Sequence, residues 1–569
     1  MNHCHKNKIL LTSVTIGAIF IAYKIDCYSK EARNLAKMKY IRKKGKSRKK
    51  AFFIGGGLAS MAGAAYLIRD CNFDGRNITI LEALNVVGGS NDGGSHNHGF
   101  LCRGGRMLNE ETYENFWELF SSIPSLSNPK RSVTEEILNF DHAHPTCAKA
   151  RLIDKEGRIL SVDRMGFNSK DRSLLLKLML TPESQLDDLT IEDWFTSSPH
   201  FFTTNFWYMW QTTFAFQKWS SLFEFRRYMN RMIFEFSRIE TLEGVTRTPY
   251  NQYESVILPI KVYLEKRGVQ FRYKTQVTDI DFIPHTLIAS KLHLMENGEE
   301  RYIKLSKGDL CFFINGCMTD CSTLGSLNTP APKPDLSPAS AELWRKISNR
   351  KRGLGNPDPF FSHPRETTWQ SFTVTLKGNL FLKKIEDFSG NVPGSGALMT
   401  FKDSSWLMSI VVAAQPHFSN QSLDTTIFWG YGLYPDRHGD YVKKAMKDCS
   451  GREILIELIH QFHWEDEMEE LLETVVDCIP CRMPYINAQF QPHKKSDRPP
   501  VVPAGTTNFA MISQFVEIPK DMVFTEEYSV RAARLAAYTL TQTPKRVLKV
   551  TPYNRNPIIL LKAAIKAYR

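Results

Sequence analysis

The stretch Lys50-Ala-Phe-Phe-Ile-Gly-Gly-Gly-Leu-Ala-Ser-Met-Ala-Gly-Ala-Ala-Tyr-Leu-Ile-Arg69 decides the fold. Ala51 to Ile54 is an apolar run long enough for a buried strand. Gly55 to Gly57 make a turn that glycine enters without steric cost. Ser60 to Arg69 then reads as a helix. A strand, a glycine turn and a helix in that order aim a helix N-terminus at whatever lies over the turn. The amide groups and dipole of that N-terminus suit a pyrophosphate. Ser60 stands where the third glycine of a G-x-G-x-x-G motif belongs, so the motif alone is weak. Asn77-Ile-Thr-Ile-Leu-Glu82 strengthens it: a second strand ends in an acid about 25 residues on, where a ribose-binding carboxylate is expected.

The 569 residues carry a net charge of +13, but that charge is confined to one end. Residues 1–50 hold 14 Lys/Arg and 2 Asp/Glu, a net of +12, which leaves the rest of the chain at +1. A nearly neutral body argues against a nucleic-acid partner. Within the leader, Ile9 to Tyr23 is apolar and uncharged and reaches about 22 Å as a helix, short of a ~30 Å hydrocarbon core. Lys8 and Lys24 flank it, and Arg42 to Lys50 form a basic run. The expectation is a membrane-surface or signal-anchor segment over residues 1–50 that holds a cytoplasmic body. Eleven scattered cysteines give no disulfide framework. Cys478-Ile-Pro-Cys481 has no second pair for a metal, and Asp141-His-Ala-His144 lacks a third ligand and reads as a loop, so no metal is expected.

The remaining segments extend the opening motif. Val87 to Ser95 is a glycine-rich loop, and Arg103-Gly-Gly-Arg106 places guanidinium groups beside a bare backbone. A helix is expected from about Glu110 to Ser121. Phe201 to Tyr228 is rich in Phe, Trp and Met at helical spacing and suits either a core or the wall of an apolar tunnel. Tyr253 to Gly268 reads as a helix closed by glycine. Val269 to Ile280 reads as strand, turn and strand returning to the nucleotide sheet, and Gly308 to Gly316 as a further buried strand. Antiparallel strands are expected between Ala397 and Leu433, and helices over Glu453–Phe462 and Asp466–Asp477. Val501 to Glu517 and a helix from Glu526 to Thr541 bring the chain back to the cofactor. The fold class is therefore α/β: a discontinuous Rossmann-like FAD-binding domain with a mixed substrate domain and helical additions. Its pieces are 51–130, 250–325 and 495–545 for the cofactor and 131–249 and 326–494 for the substrate. Residues 546–569 form a C-terminal amphipathic segment.

From about Lys50 onward the sequence resembles the oleate hydratase family, also called myosin-cross-reactive antigens. Gly55-Gly-Gly-Leu-Ala-Ser60, Gly88-Gly-Ser90, Arg103-Gly-Gly-Arg106, Asn205-Phe-Trp207, Phe214-Ala-Phe216, Tyr250-Asn-Gln-Tyr253, Gln415-Pro-His-Phe418, Asp497-Arg-Pro499, Val501-Val-Pro503 and Gln514-Phe-Val-Glu517 carry the resemblance. It implies hydration of the cis double bond of unsaturated fatty acids such as oleate, giving 10-hydroxy acids, with bound FAD that undergoes no net redox change. The implied cofactor residues are Gly55, Gly57, Ala59, Ser60, Glu82, Gly89, Ser90, Arg103, Gly104, Gly105, Arg106, Val277, Thr319, Asn508, Phe509 and Gln514. Tyr228 is the implied proton donor, with Arg226 and Arg227 beside it to tune it. Gln415 and His417 are implied at the substrate carboxylate.

Two departures stand out. The family's water-activating glutamate often follows the Arg-Gly-Gly-Arg segment, where this chain has Met107, and Glu110 and Glu111 are the nearest acids that could substitute. Val411-Val-Ala413 replaces the Thr-x-Asn often found before Gln-Pro-His-Phe. A redox flavoenzyme of amine-oxidase or desaturase type, and a member that binds FAD and fatty acid without hydrating, stay open beside the hydratase. So does a homodimeric state.

Overall fold

The computed structural model describes residues 47–91, 93–104 and 107–569. The apolar and basic leader lies almost wholly outside the described residues, as do Gly105 and Arg106.

Five short strands form one parallel sheet in the order Phe509–Met511, Leu310–Phe313, Ala51–Ile54, Ile78–Leu81, Gln270–Arg272. They come from the N-terminal, middle and C-terminal parts of the chain, so the sheet is discontinuous in sequence. The three inner strands and the Phe509 edge strand are buried throughout, which is why they read as unbroken apolar runs rather than alternating ones. Phe53 stacks on Phe312 across the sheet at 4.4 Å. The helix Leu58–Asp70 covers one face and packs on the helix Glu526–Thr541, with Tyr66 edge-on to Tyr538 at 5.8 Å. Close approach of helix and strand rests on Gly63, where a Cβ would lie 2.6 Å from the Phe53 ring. That packing role, given to the third motif glycine, falls one turn later here, and Ser60 is tolerated.

The segment Val269 to Ile280 divides between two sheets. Gln270–Arg272 joins the parallel sheet, but Thr275–Phe282 starts a separate antiparallel sheet with Ala289–Glu296 and Glu299–Lys304.

A third, seven-stranded sheet builds the other half of the molecule. Its order is Thr323–Leu324, Val475–Met483, Trp369–Lys377, Thr425–Gly432, Met408–Val411, Leu398–Phe401, Leu152–Ile153, antiparallel except for the last pair. Phe372 and Val374 point into a second core closed by the helices Leu380–Ser389 and Gly451–Gln461. Thr373 and Thr375 point the other way and accept the Cys102 and Phe100 amides at 3.0 and 2.9 Å. The glycine-rich hairpin Gly93–His96/Gly99–Cys102 is thereby fixed onto this sheet.

Three local expectations need correcting. Asp466–Asp477 is not one helix: the helix spans Met468–Glu473, and β-branched Val475 and Val476 open the long strand. Cys478 and Cys481 lie on that strand at an odd spacing. They face the second and the main core respectively, and both are buried. The helix expected from Glu110 begins only at Glu114, because Asn109 Oδ1 takes the Thr112 amide at 2.9 Å and turns the chain first. Asp141 and His142 close the helix Val133–Ala143, which a Ser132/Glu135 capping box starts.

The last helix, Pro557–Tyr568, docks on the body through buried Ala563 and a Lys566–Glu240 ion pair. Among the described residues no helix is long and apolar enough to cross a membrane.

Candidate active site

The glycine turn lies at the carboxyl ends of the parallel strands, where open α/β sheets take ligands. Gly55 has φ +94°, and a Cβ on Gly56 would meet Val87 at 2.7 Å and Glu82 Oε2 at 2.9 Å. The Gly56 amide donates to Glu82 Oε2 at 2.6 Å, and Leu84 N to Oε1 at 2.8 Å, so the acid is fixed at the strand end. Gly57 caps the helix Leu58–Asp70 without a side-chain bond, which leaves its N-terminus facing the cradle. Gly57, Ala59, Gly89, Ser90 and Gln514 line this cradle, with Cys317, Met318 and Ser529. Gln514 is oriented by the Phe524 amide at 2.6 Å and by the Thr525 carbonyl at 2.8 Å. Ser60 is buried just behind, and its hydroxyl has no partner among the described residues.

Several expected cofactor residues stand elsewhere. Asn508 and Phe509 lie at the amino end of their strand, away from the cradle. The Asn508 amide is spent on Ala289, donating to its carbonyl and accepting its N–H, both at 2.9 Å, while Phe509 packs edge-on against Phe282. Ile512, Ser513 and Gln514, at the carboxyl end of that strand, face the ligand side. Val277 is buried in the three-stranded sheet, and Thr319 is buried beyond Met318; neither lines the cradle. Arg103 is half-buried, with its carbonyl held by Ser371 Oγ at 3.0 Å.

Ser90, Asn91, Phe524, Thr525 and Glu526 border both the cradle and a second, larger cavity. Phe214, Trp369, Trp429, Tyr431, Met107 and Met232 give this cavity apolar walls. The aromatic segment from Phe201 to Tyr228 therefore serves as core and cavity wall together: Trp207 and Trp210 are buried, while Thr212 to Ala215 and Tyr228 face the cavity.

Tyr228 lies on the helix Leu222–Arg231, ringed by Phe214, Phe216 and Phe490 at 5.0–5.8 Å. Its hydroxyl donates to the Val523 carbonyl at 2.6 Å. Burial, reinforced by the neighbouring Tyr113, raises its pKa well above the ordinary value and keeps it protonated. Arg226 and Arg227 do not tune it, since adjacent helical residues leave on other faces. Arg226 donates to the Leu178 and Met179 carbonyls, and Arg227 pairs with Glu183 and Glu517.

Glu110 and Glu111 lie outside the cavity. Glu110 is exposed and meets His142 at 3.5 Å, and Glu111 pairs with Arg238 at 2.8 Å. Two acids do line the cavity: Glu526, which the cavity shares with the cradle, and Glu235, buried on the short helix Ile233–Phe236. The signal for Glu235 in the sequence was a charge inside the aromatic run Ile233-Phe-Glu-Phe236.

At another wall, three side chains hold buried polar atoms without partners among the described residues: Arg247 Nε, both amide atoms of Gln252, and His417 Nδ1. Burial, aided by the Arg247 charge, pushes His417 down to about 4, so it is neutral. Burial lowers Arg247 only to about 10, which leaves it charged. Gln415 does not join them. Its amide donates to the Ile427 carbonyl at 2.7 Å and accepts from Gln421 at 2.8 Å, bracing the loop that carries His417. Val411 and Ala413 line the cavity as apolar wall.

A glycine cradle on a parallel sheet, opening into an aromatic cavity with a phenol, a carboxyl group and a cationic end, defines a nucleotide-cofactor-type fold joined to a site for an amphiphile. The chain belongs to the MCRA family, whose model matches residues 48–538. It is 40% identical over 564 residues to a linoleate hydratase of Lactiplantibacillus plantarum, covering 92% of this chain and 99% of that protein. It is 36% identical over 537 residues to an oleate hydratase of Streptococcus pyogenes serotype M49 (strain NZ131), covering 92% and 90%. Among solved structures, cyclohexylamine oxidase from Brevibacterium oxydans IH-35A overlaps 88% of this chain and 100% of its own, at 12% identity and a TM-score of 0.48.

Proposed function

We propose that this chain is an FAD-dependent hydratase that adds water across the cis double bond of unsaturated fatty acids such as oleate, giving 10-hydroxy acids. The observation that supports the reading is a cavity lined by the phenol of Tyr228 and by Arg247 and His417, and bordered by residues of the glycine cradle. The names of the two hydratase relatives support it, each aligned with this chain over nine-tenths of its length.

The cradle residues Gly57, Gly89 and Ser90 fit the pyrophosphate of FAD, and Glu82, held beside the turn by the Gly56 amide, fits its ribose. When bound, FAD would supply a polar wall to the site with no net electron transfer. Arg247 and neutral His417 donate to the substrate carboxylate, with the Gln252 amide beside them. The apolar walls take the acyl chain and exclude bulk water. Tyr228 gives its proton to one alkene carbon. Attachment of the body to an anionic membrane face through residues 1–50 is part of the proposal. The apolar run from Ile9 to Tyr23 and the leader's net charge of +12 support it.

Product analysis tests the activity. Purified protein with FAD and oleate is expected to give 10-hydroxystearate; a dehydrogenated acid with reduced flavin would replace the hydratase by a redox enzyme.

A further inference from the structure

We infer that Glu235 is the water-activating base of this chain, a carboxylate delivered from the helix Ile233–Phe236 to the cavity wall where Met107 has none to offer. The inference rests on the hydratase reading and adds a residue to it.

Met107, Leu108 and Asn109 all line the cavity, the last two on a short strand. Asn109 Nδ2 lies 3.4 Å from Glu235 Oε1, so the Glu235 carboxylate reaches the same wall as Met107. Arg238 holds Oε1 at 2.6 Å, and Arg238 is itself anchored outside by Glu111 at 2.8 Å. The site is built closely around this pair: a Cβ at Gly244 would fall 1.5 Å from Glu235 Oε1 and 2.1 Å from Arg238 Nη2. Oε2 is the opposite case. It is buried, and no described residue bonds to it. A cavity-lining carboxylate with one oxygen clamped and the other buried without a partner is an expensive structural device, and one suited to receiving a proton. Burial raises its pKa, Arg238 draws it back, and Glu111 is the other charge that bears on it. Tyr113 lines the same cavity as Tyr228 and Glu235, and its hydroxyl donates to the Met107 carbonyl at 3.2 Å.

The step balances without a redox partner. A water molecule loses one proton to Glu235 as its oxygen bonds to one alkene carbon. The π pair takes the phenolic proton of Tyr228 at the other carbon. The proton on Glu235 then returns to the Tyr228 phenoxide through water in the cavity, and one water has been added to the alkene.

The test uses the full-length FAD-loaded protein with oleate. Glu235→Gln keeps the size and the clamped oxygen. It is expected to lower kcat by about 10²-fold or more while FAD retention and oleate binding stay within about twofold. Adding Met107→Glu to that variant restores a carboxylate to the wall and is expected to recover at least about tenfold. A second measurement does not depend on either variant folding: Arg238→Met removes the charge that pulls the Glu235 pKa down, so the acid limb of the kcat–pH profile moves to higher pH. Wild-type turnover with Glu235→Gln unchanged, or an unmoved acid limb in Arg238→Met, overturns the assignment. Absence of hydration by the wild-type protein fails the hydratase reading itself and is seen before any variant is made.

Discussion

Glu82 Oε2 and the Gly56 amide are 2.6 Å apart, so the acid that ends the second strand also closes the glycine turn that begins the cradle. A methyl group on Gly56 would press on Glu82 Oε2 and Val87 at once. Gly56→Ala is expected to weaken FAD by at least about tenfold, a loss of about 1.4 kcal/mol. Flavin released on dialysis measures it.

Tyr228 is buried, protonated and fixed to Val523. Tyr228→Phe keeps the ring among Phe214, Phe216 and Phe490 and removes the transferable proton. Turnover is expected to fall by about 10²–10⁴-fold with oleate binding unchanged. Steady-state kinetics beside a binding isotherm separates the two.

Arg247 is a half-buried cation lining the cavity, and Gln415 braces the loop that carries His417. Arg247→Met is expected to raise KM for oleate by about 10–100-fold, the worth of one charged hydrogen-bonded contact, with a smaller effect on kcat. Gln415→Ala is expected to lower the melting temperature and leave KM within about twofold, because its amide never faces substrate. Paired KM and melting measurements on the two variants check this.

Two buried groups give opposite pH signatures. Burial holds His417 down at about 4, against about 6.5 when unfolded, so its contribution to stability is full above pH 6.5 and is lost as pH falls toward 4. Burial pushes Glu527 up to about 7 against the pull of Arg531, so its contribution is full below about pH 4.3 and is lost as pH rises through 7. Each is worth on the order of 3 kcal/mol across its window. Melting curves from pH 4 to 8 are expected to show a shallower acid slope in His417→Gln and a shallower slope between pH 4.5 and 7 in Glu527→Gln.

The cradle was legible because its chemistry is local. Gly55 to Gly57 and Glu82 sit on adjacent strands, and the apolar runs that flank them announce a sheet buried on both faces. Asn508 and Phe509 show where local reading fails, since which end of a strand faces the ligand depends on the direction it enters the sheet. The cavity was less legible still. His417 meets Arg247 and Gln252 across about 165 residues of chain, and no spacing rule spans that distance. The Tyr250-Asn-Gln-Tyr253 segment was visible as a motif, but nothing local marks the Gln252 amide as unpartnered. Glu110 and Glu111 were reasonable from sequence because they follow Met107 closely. Asn109 turns the chain there, and the turn carries both acids out of the cavity.

The most direct measurement of the central claim is turnover of oleate in heavy-oxygen water with the flavin spectrum followed throughout. The account predicts one heavy oxygen in each 10-hydroxystearate formed and an oxidised flavin spectrum unchanged from start to finish. Product without the label, or flavin reduced in step with product, would contradict it.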